Sequence, residues 1–223
     1  MLQPNLEILD APQRRLWDEL SATPSEFVLY GGTSIALRLG HRKSVDFDFF
    51  SNIEFSPSTL MARIPYLHGA TVIQSTPNTL VCTLDRGGPV QLAFFGKLPL
   101  NHVHHPEKTA DNGIALASLL DLAATKVKVI LDRAAYKDYY DIDTLIRAGV
   151  NLPQTLGAAQ AIYGHEYNPF LSLKALTFFK EGDLHQLSSE IKQRLTQAVR
   201  EVNLEQLPTL SAMPGLTDNA HGS

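Results

Sequence analysis

Only one cysteine occurs in the 223 residues, Cys82, so no internal disulfide can form. Its surroundings, NTLVCTLD, read as a strand, which gives the thiol a small apolar role in a core rather than a reactive one. No apolar run approaches the roughly 18 residues that a membrane helix needs, so no membrane segment is expected. The N-terminal MLQPNLEILDAPQRRLW has no basic stretch followed by an apolar core, so no signal peptide is read there and the expected location is cytoplasmic. Basic charge is not in excess either: 19 Lys and Arg stand against 23 Asp and Glu, a net charge of −4. That excludes a broadly basic surface that coats nucleic acid but leaves room for a local basic groove. Internal repeats and low-complexity tracts are missing, and so are the G-x-S-x-G, H-E-x-x-H and Walker patterns.

What is present suits a folded protein: 44% apolar and 19% charged residues. Residues 5–21 predict a helix with Leu6, Leu9, Leu16 and Leu20 on one face and Pro12 as an early disturbance. EFVLY (26–30) predicts a buried strand that stops at Gly31-Gly32. TSIALRLG predicts a helix with Thr33 or Ser34 near its N-cap and Gly40 at its end. SVDFDFF predicts a second strand, and SPSTLMARIPYL a short helix capped by Ser56 with Pro57 at its first position. Residues 70–96 predict three strands, the last two joined by a turn at Asp85–Gly88. NHVHHPE is a polar connection whose His102, His104 and His105 lack zinc-site spacing. From Ile114 onward the strong signals are helical: a long segment to Gly149, then helices near 153–163, 169–180 and 183–202. The fold class is therefore α/β (α+β): a domain with a small mixed sheet at 1–105, a helical domain at 106–210, and a tail at 211–223 read as disordered.

Two features carry chemistry. In SVDFDFF, side chains alternate faces, so Asp46 and Asp48 project to one side, about 6.6 Å apart along the strand, and Phe47 and Phe49 to the other. Two adjacent carboxylates repel, and a divalent cation reverses that penalty. Mg²⁺ uses one or two carboxylates, with water and substrate phosphates as its other ligands. Just upstream, Gly31-Gly32 at a strand-to-helix turn permits close backbone approach, and the helix N-terminus offers N–H groups to an anion. Thr33 and Ser34 add hydroxyl donors. Arg38, His41, Arg42 and Lys43 add positive charge beside them. The bland alternative is an acidic pair in salt bridges with Arg38 or Arg42. The second feature is KVKVILDRAAYKDYYDIDTLI. On a continuous helix Lys126, Arg133 and Lys137 form one basic stripe, while Asp138 and Asp141 share a face; RAAY is a point where the helix would break. Tyr136, Tyr139 and Tyr140 suit helix packing, with base stacking as the alternative.

Together, GGTSIALRLGHRKSVDFDFF and the K…R…K-D-x-x-D block resemble the AbiEii/AbiGii toxin-like family within the DNA polymerase β-like nucleotidyltransferase superfamily. The resemblance covers roughly residues 25–150. It implies that Gly31, Gly32 and Thr33 or Ser34 hold a triphosphate and that Asp46 and Asp48 ligate Mg²⁺. It further implies that Lys126 reaches the nucleotide and that Asp138 and Asp141 complete the helical side of the site. The implied reaction moves a nucleoside monophosphate from an NTP onto a hydroxyl of RNA, such as tRNA, or of a protein; a cognate antitoxin is the implied partner. One departure stands out. Active relatives commonly carry a third carboxylate on a neighbouring strand, and position 93, where it is expected, is alanine. The alternative is therefore a catalytically weakened protein of the same fold that acts by binding a nucleotide or a partner protein.

Overall fold

A computed structural model of the chain describes residues 1–217. Its contacts divide it into two compact units. The first comprises Met1–Leu100, His105–Ser118 and the segment from Pro214 on; the second comprises Asn101–His104 and Leu119–Met213.

The first unit is built on one seven-stranded sheet. Its chain order begins with helix α1 (Ala11–Trp17), strand β1 (Val28–Tyr30), helix α2 (Gly31–Leu39), strand β2 (Asp46–Phe50) and helix α3 (Pro57–Arg63). Strands β3 (Thr71–Thr76), β4 (Thr79–Asp85), β5 (Pro89–Phe95), β6 (Glu107–Lys108) and β7 (Ala115–Leu116) follow. The spatial order is β3-β4-β5-β2-β1-β7-β6. β2 is central: it runs antiparallel to β1 and parallel to β5. Residues 107–116, read from sequence with the helical half, instead complete the sheet.

The helix expected over 5–21 is shorter, and Pro12 gives the reason. Asp10 caps α1 by accepting the Gln13 N–H at 2.9 Å, while the Gln13 side chain accepts the Asp10 N–H at 3.1 Å. Pro12 then sits in the first turn, where no N–H is needed. Gly40 ends α2 as expected, in the left-handed region at φ 66°, with its N–H on the Ala36 carbonyl. Asp85 closes the β4–β5 turn by accepting the N–H groups of Gly87 and Gly88 at 2.8 and 2.9 Å. Those bonds hold the Asp85 carboxyl below the usual carboxylate range, the Gly88 N–H contributing most.

The core of this unit lies on one face of the sheet. Trp17, Phe27, Leu29, Leu37, Phe47, Phe49, Leu92 and Phe94 are all buried in it. Phe49 stacks on Phe94 at 5.1 Å, and Trp17 lies against Phe47 at 6.4 Å. Cys82 is fully buried, and desolvation pushes its thiol up to about 11, so the expected inert role holds.

The second unit is helical: α4 (Leu119–Val129), α5 (Tyr136–Arg147), α6 (Leu152–Tyr163), α7 (Pro169–Ala175) and α8 (Ser189–Arg200). The long helix expected through residue 149 is interrupted between Val129 and Tyr136. α5 restarts with no side-chain cap from Ala135. Instead Asp183, 47 residues away, accepts the Tyr136 N–H at 2.6 Å. Gly182 makes this approach feasible: a Cβ there would lie 2.0 Å from the Ala134 carbonyl oxygen. Arg194 of α8 donates two bonds, each 2.8 Å, to Asp143 of α5. Of the tail 211–223 read as disordered, Met213 exchanges backbone bonds with His102 at 2.7 and 3.1 Å, and Leu216 is buried. Residues 218–223 lie outside the described residues. Among the described residues no helix is long and apolar enough to cross a membrane.

Phe49 is fully buried on the central strand, so Phe49→Ala should lower the stability of the first unit by about 3–5 kcal/mol. Urea unfolding followed by the fluorescence of Trp17, the one tryptophan, reads this directly. A loss under about 1 kcal/mol would mean that the β2 aromatics do not anchor the sheet.

Candidate active site

β2 shows the alternation expected of it. Phe47 and Phe49 are fully buried, while Asp46, Asp48 and Phe50 are half-buried on the opposite face. Register then decides what surrounds the acids. Asp48 is paired with Tyr30, the last residue of β1. The chain turns into α2 at the next residue, Gly31, so the helix starts against the Asp48 carboxylate. Gly31 sits at φ +71°, and a Cβ there would lie 2.5 Å from Asp48 Oδ2. Both the backbone angle and the space demand glycine. The N-cap residue Tyr30 places no side chain on the helix start, and Gly32 is the second residue of α2. The start of α2 thus carries no side-chain cap from its N-cap residue and lies against Asp48.

The hydroxyls act differently from the sequence expectation. Thr33 is buried, shares a 2.7 Å hydrogen bond with Ser44, and donates to the backbone carbonyl of Asp46. It ties α2 to the first residue of β2 and so positions the acidic strand. Ser34 is fully buried, and its hydroxyl oxygen has no hydrogen-bond partner among the described residues. Neither hydroxyl is presented to solvent. Arg38 is likewise engaged: its guanidinium meets Glu107 Oε2 at 2.6 Å and the Leu116 carbonyl at 3.0 Å, which fastens α2 to β6 and β7. That contact, with burial opposing it, holds the Glu107 carboxyl below its usual range. Arg42 and His41 are half-buried, Lys43 is exposed, and Arg42 donates to the Lys43 carbonyl at 3.0 Å.

The third carboxylate is absent from the neighbouring strand. β5 places Gln91 beside Asp46 and Ala93 beside Asp48, and β4 places Val81 beside Ala93 and Thr83 beside Gln91. Glu54 pairs with Lys97 at 3.1 Å, and Asp85 closes its turn. No group of three or more His, Cys, Asp or Glu that could hold a metal ion occurs among the described residues. The two carboxylates still match the needs of Mg²⁺ when substrate phosphates supply its other ligands.

In the second unit Lys126, Asp138 and Asp141 form one buried cluster. Lys126 Nζ lies 2.6 Å from Asp138 Oδ1 and 2.8 Å from Asp141 Oδ2. Arg133 reaches the same Asp138 through Nε at 2.8 Å and a second nitrogen at 3.2 Å. Two cations balance two anions, which makes burial of Lys126, Asp138 and Asp141 tolerable, while Arg133 itself is exposed. Burial pushes the Asp138 carboxyl up, but the Arg133 hydrogen bond and the charge of Lys126 outweigh it, and the net direction is down. The expected basic stripe does not form. The helix breaks before Arg133, which turns back onto Asp138, and Lys137 is exposed on α5. Tyr139 is buried, donates to the Ala175 carbonyl at 3.1 Å and is pushed up to about 12 by desolvation; Tyr136 and Tyr140 stack on each other at 5.8 Å.

Ser44, Glu107 and Asp183 were missed from the sequence. Each acts on a residue 11 to 69 positions away, and no local spacing signals such a partner.

The sequence profile described as "Nucleotidyl transferase AbiEii toxin, Type IV TA system" matches residues 15–213. The chain is 29% identical over 187 residues to the "Uncharacterized protein aq_aa25" of Aquifex aeolicus (strain VF5), covering 79% of this chain and 88% of that one. Among solved structures, it is similar to MenT4, a nucleotidyltransferase toxin from Mycobacterium tuberculosis H37Rv, with a TM-score of 0.62, 14% identity, and 86% and 83% of the two chains covered. It is also similar to JHP933 from Helicobacter pylori, with a TM-score of 0.54, 15% identity, and 90% and 92% covered. At these identities the two structures support the shared fold.

The buried ion cluster carries a pH signature. The Asp138 carboxyl titrates lower when folded than the ~3.9 of an unfolded aspartate. Its contribution is therefore complete above about pH 4 and disappears as pH falls through the folded value. Asp138→Asn should lower thermal stability at neutral pH and flatten the loss of stability on acidification, both followed by far-UV circular dichroism. An acid limb as steep as that of the parent protein would remove the cluster as its cause.

Proposed function

The chain belongs to the AbiEii nucleotidyl transferase toxin family, and on that premise we propose that it is a metal-dependent nucleotidyltransferase. The reaction transfers a nucleoside monophosphate from an NTP to an acceptor hydroxyl and releases pyrophosphate. The observation that carries this reading is the placement of Asp46 and Asp48 on one face of β2, with the start of α2 held against Asp48 by Gly31.

In this reading Asp46 and Asp48 hold a divalent cation, which when bound neutralises charge on the transferring phosphate. The backbone at Gly31 and Gly32 receives the triphosphate, helped by the positive end of α2. Thr33 keeps Asp46 in place rather than touching phosphate, and Arg38 serves the sheet. Arg42, half-buried, is a candidate for a phosphate contact from that loop. Lys126, Asp138 and Asp141 set the conformation of the α4–α5 segment, and Lys137 is an exposed cation there, as is Arg133. Asp138, held low by its partners, is a weak proton acceptor and a poor general base. Transfer of this kind leans on positioning and charge neutralisation more than on a base. The acceptor is an RNA such as tRNA, or a protein. A cytoplasmic location and an antitoxin partner belong to the same reading; the family is described within a type IV toxin–antitoxin system.

Ala93, in register with Asp48, favours a second reading in which turnover is weak and binding is the function. One experiment separates them. The protein is incubated with labelled NTPs, Mg²⁺ and total tRNA or cell lysate, beside Asp46→Ala and Ala93→Asp. The enzymatic reading expects labelled acceptor, with at least about a 100-fold loss in Asp46→Ala. Labelling by Ala93→Asp alone would establish the weakened reading, and equal labelling by Asp46→Ala would end both.

Gly31→Ala should also reduce transfer by about 100-fold, because the new methyl group displaces the Asp48 carboxylate. Rates measured at saturating NTP test this; an unchanged rate would remove Asp48 from the site.

A further inference from the structure

Helix α5 turns its two signs of charge in opposite directions. Its sequence, YKDYYDIDTLIR, holds three acids and two bases. All three acids are buried: Asp138 is 1% exposed, and Asp141 and Asp143 are fully buried. Lys126 pairs with Asp138 and Asp141, Arg133 with Asp138 as well, and Arg194 of α8 with Asp143. Both bases, Lys137 and Arg147, are exposed. A helix whose formal balance is negative therefore shows solvent only positive charge. The chain's net charge of −4 leaves room for such a local surface.

Two aromatic rings share that surface. Tyr136 and Tyr140 are half-buried, and their rings stack at 5.8 Å with planes 12° apart. They begin a row that continues one turn at a time through Asp143 to Arg147, at i, i+4, i+7 and i+11. Asp143 is covered by the Arg194 guanidinium, whose side chain is 40% exposed. The row therefore presents ring, ring, guanidinium, guanidinium. Lys137 lies beside it, as the i,i+3 neighbour of Tyr140. At a rise of 1.5 Å per residue the row is about 16 Å long. Asp183, at the start of the helix, is committed to the Tyr136 N–H at 2.6 Å.

We propose that this face of α5 binds single-stranded nucleic acid. Parallel rings half open to solvent form a platform on which an unpaired base stacks, and every base has a π-face to offer. Lys137 beside the rings and Arg147 at the far end of the row meet phosphates, the first as a point charge and the second as a planar fork. Side-chain type and charge together identify the occupant. A helix face that docks a protein groove carries apolar anchors at i, i+3, i+4 and i+7. Here that row holds rings and guanidinium groups, and the half-buried aliphatic residue of α5, Ile146, lies on a different side of the helix. A duplex keeps its base faces inside the stack, so an unpaired strand is the better ligand. Binding of this kind needs neither NTP nor metal and stands apart from the transfer reading. Where that reading holds, the surface selects RNA over protein as the acceptor.

Fluorescence anisotropy of the full chain, without NTP or Mg²⁺, tests this. The probes are labelled single strands of RNA and of DNA of about 12 nucleotides, the corresponding duplex, and poly-glutamate as a polyanion without bases. Both single strands should bind at least about tenfold more tightly than the duplex or poly-glutamate, and the tighter of the two identifies the sugar that the site serves. Tyr136→Ala/Tyr140→Ala should weaken binding at least about fivefold, whereas Tyr136→Phe/Tyr140→Phe, which keeps the rings, should bind as the parent does. Lys137→Ala and Arg147→Ala should each reduce the slope of log affinity against log salt by about 0.7. Duplex or poly-glutamate bound as tightly as the single strands overturns the proposal. So does undiminished binding by the alanine pair, or no binding at about 100 μM protein in low salt. Should the alanine pair lose its helical far-UV spectrum, the two salt slopes decide, and unchanged slopes overturn the proposal.

Discussion

The candidate site depends on one constraint: a strand has two faces, and on β2 aromatic burial claims one of them. Phe47 and Phe49 are locked into the core, where Phe49 stacks on Phe94. With those rings committed, Asp46 and Asp48 can only emerge on the other side. A slip of one residue would bury two carboxylates and expose two phenylalanines, so hydrophobic burial itself enforces the acidic face. Register extends the constraint to the helix. Because Asp48 opposes the last residue of β1, the following glycine must pass its carboxylate, and no other residue fits.

Charge is managed differently in the two units. On β2 the carboxylates lie on a half-buried face. In the helical unit Asp138 and Asp141 are almost completely buried, and Lys126 and Arg133 balance them within the protein. Such a cluster adds little net stability compared with apolar packing, but it penalises any arrangement that separates its members. It therefore fixes where α5 restarts after the break at Val129. Asp183 adds to this by capping α5 from a distant loop, a contact that Gly182 alone permits.

Much of this was legible from local pattern. The two-residue period of SVDFDFF assigned Asp and Phe to opposite faces, Gly40 ended its helix, and Asp85–Gly88 made its turn, because each depends on a few adjacent residues. The roles of Thr33 and Arg38 were not legible. Both look like phosphate ligands beside Gly31-Gly32, yet one bonds the backbone of Asp46 and the other bonds Glu107 and the Leu116 carbonyl. A hydroxyl or a guanidinium carries no record in sequence of which partner folding will bring to it. The basic stripe failed for a related reason: it assumed a continuous helix, and Arg133 lies in the break.

The sequence by itself determined the local periodicities, the acidic pair with its aromatic backing, and the family signature, since all three are written in short-range spacing. Only the tertiary structure decided which polar groups the fold consumes, as with Thr33 and Arg38. It also decided that Ala93 stands directly beside Asp48, and that β3 is an edge strand paired with β4 alone among the described residues. Strand order and register set those outcomes. They arise from burial summed over the whole sheet, which no single stretch of the chain contains.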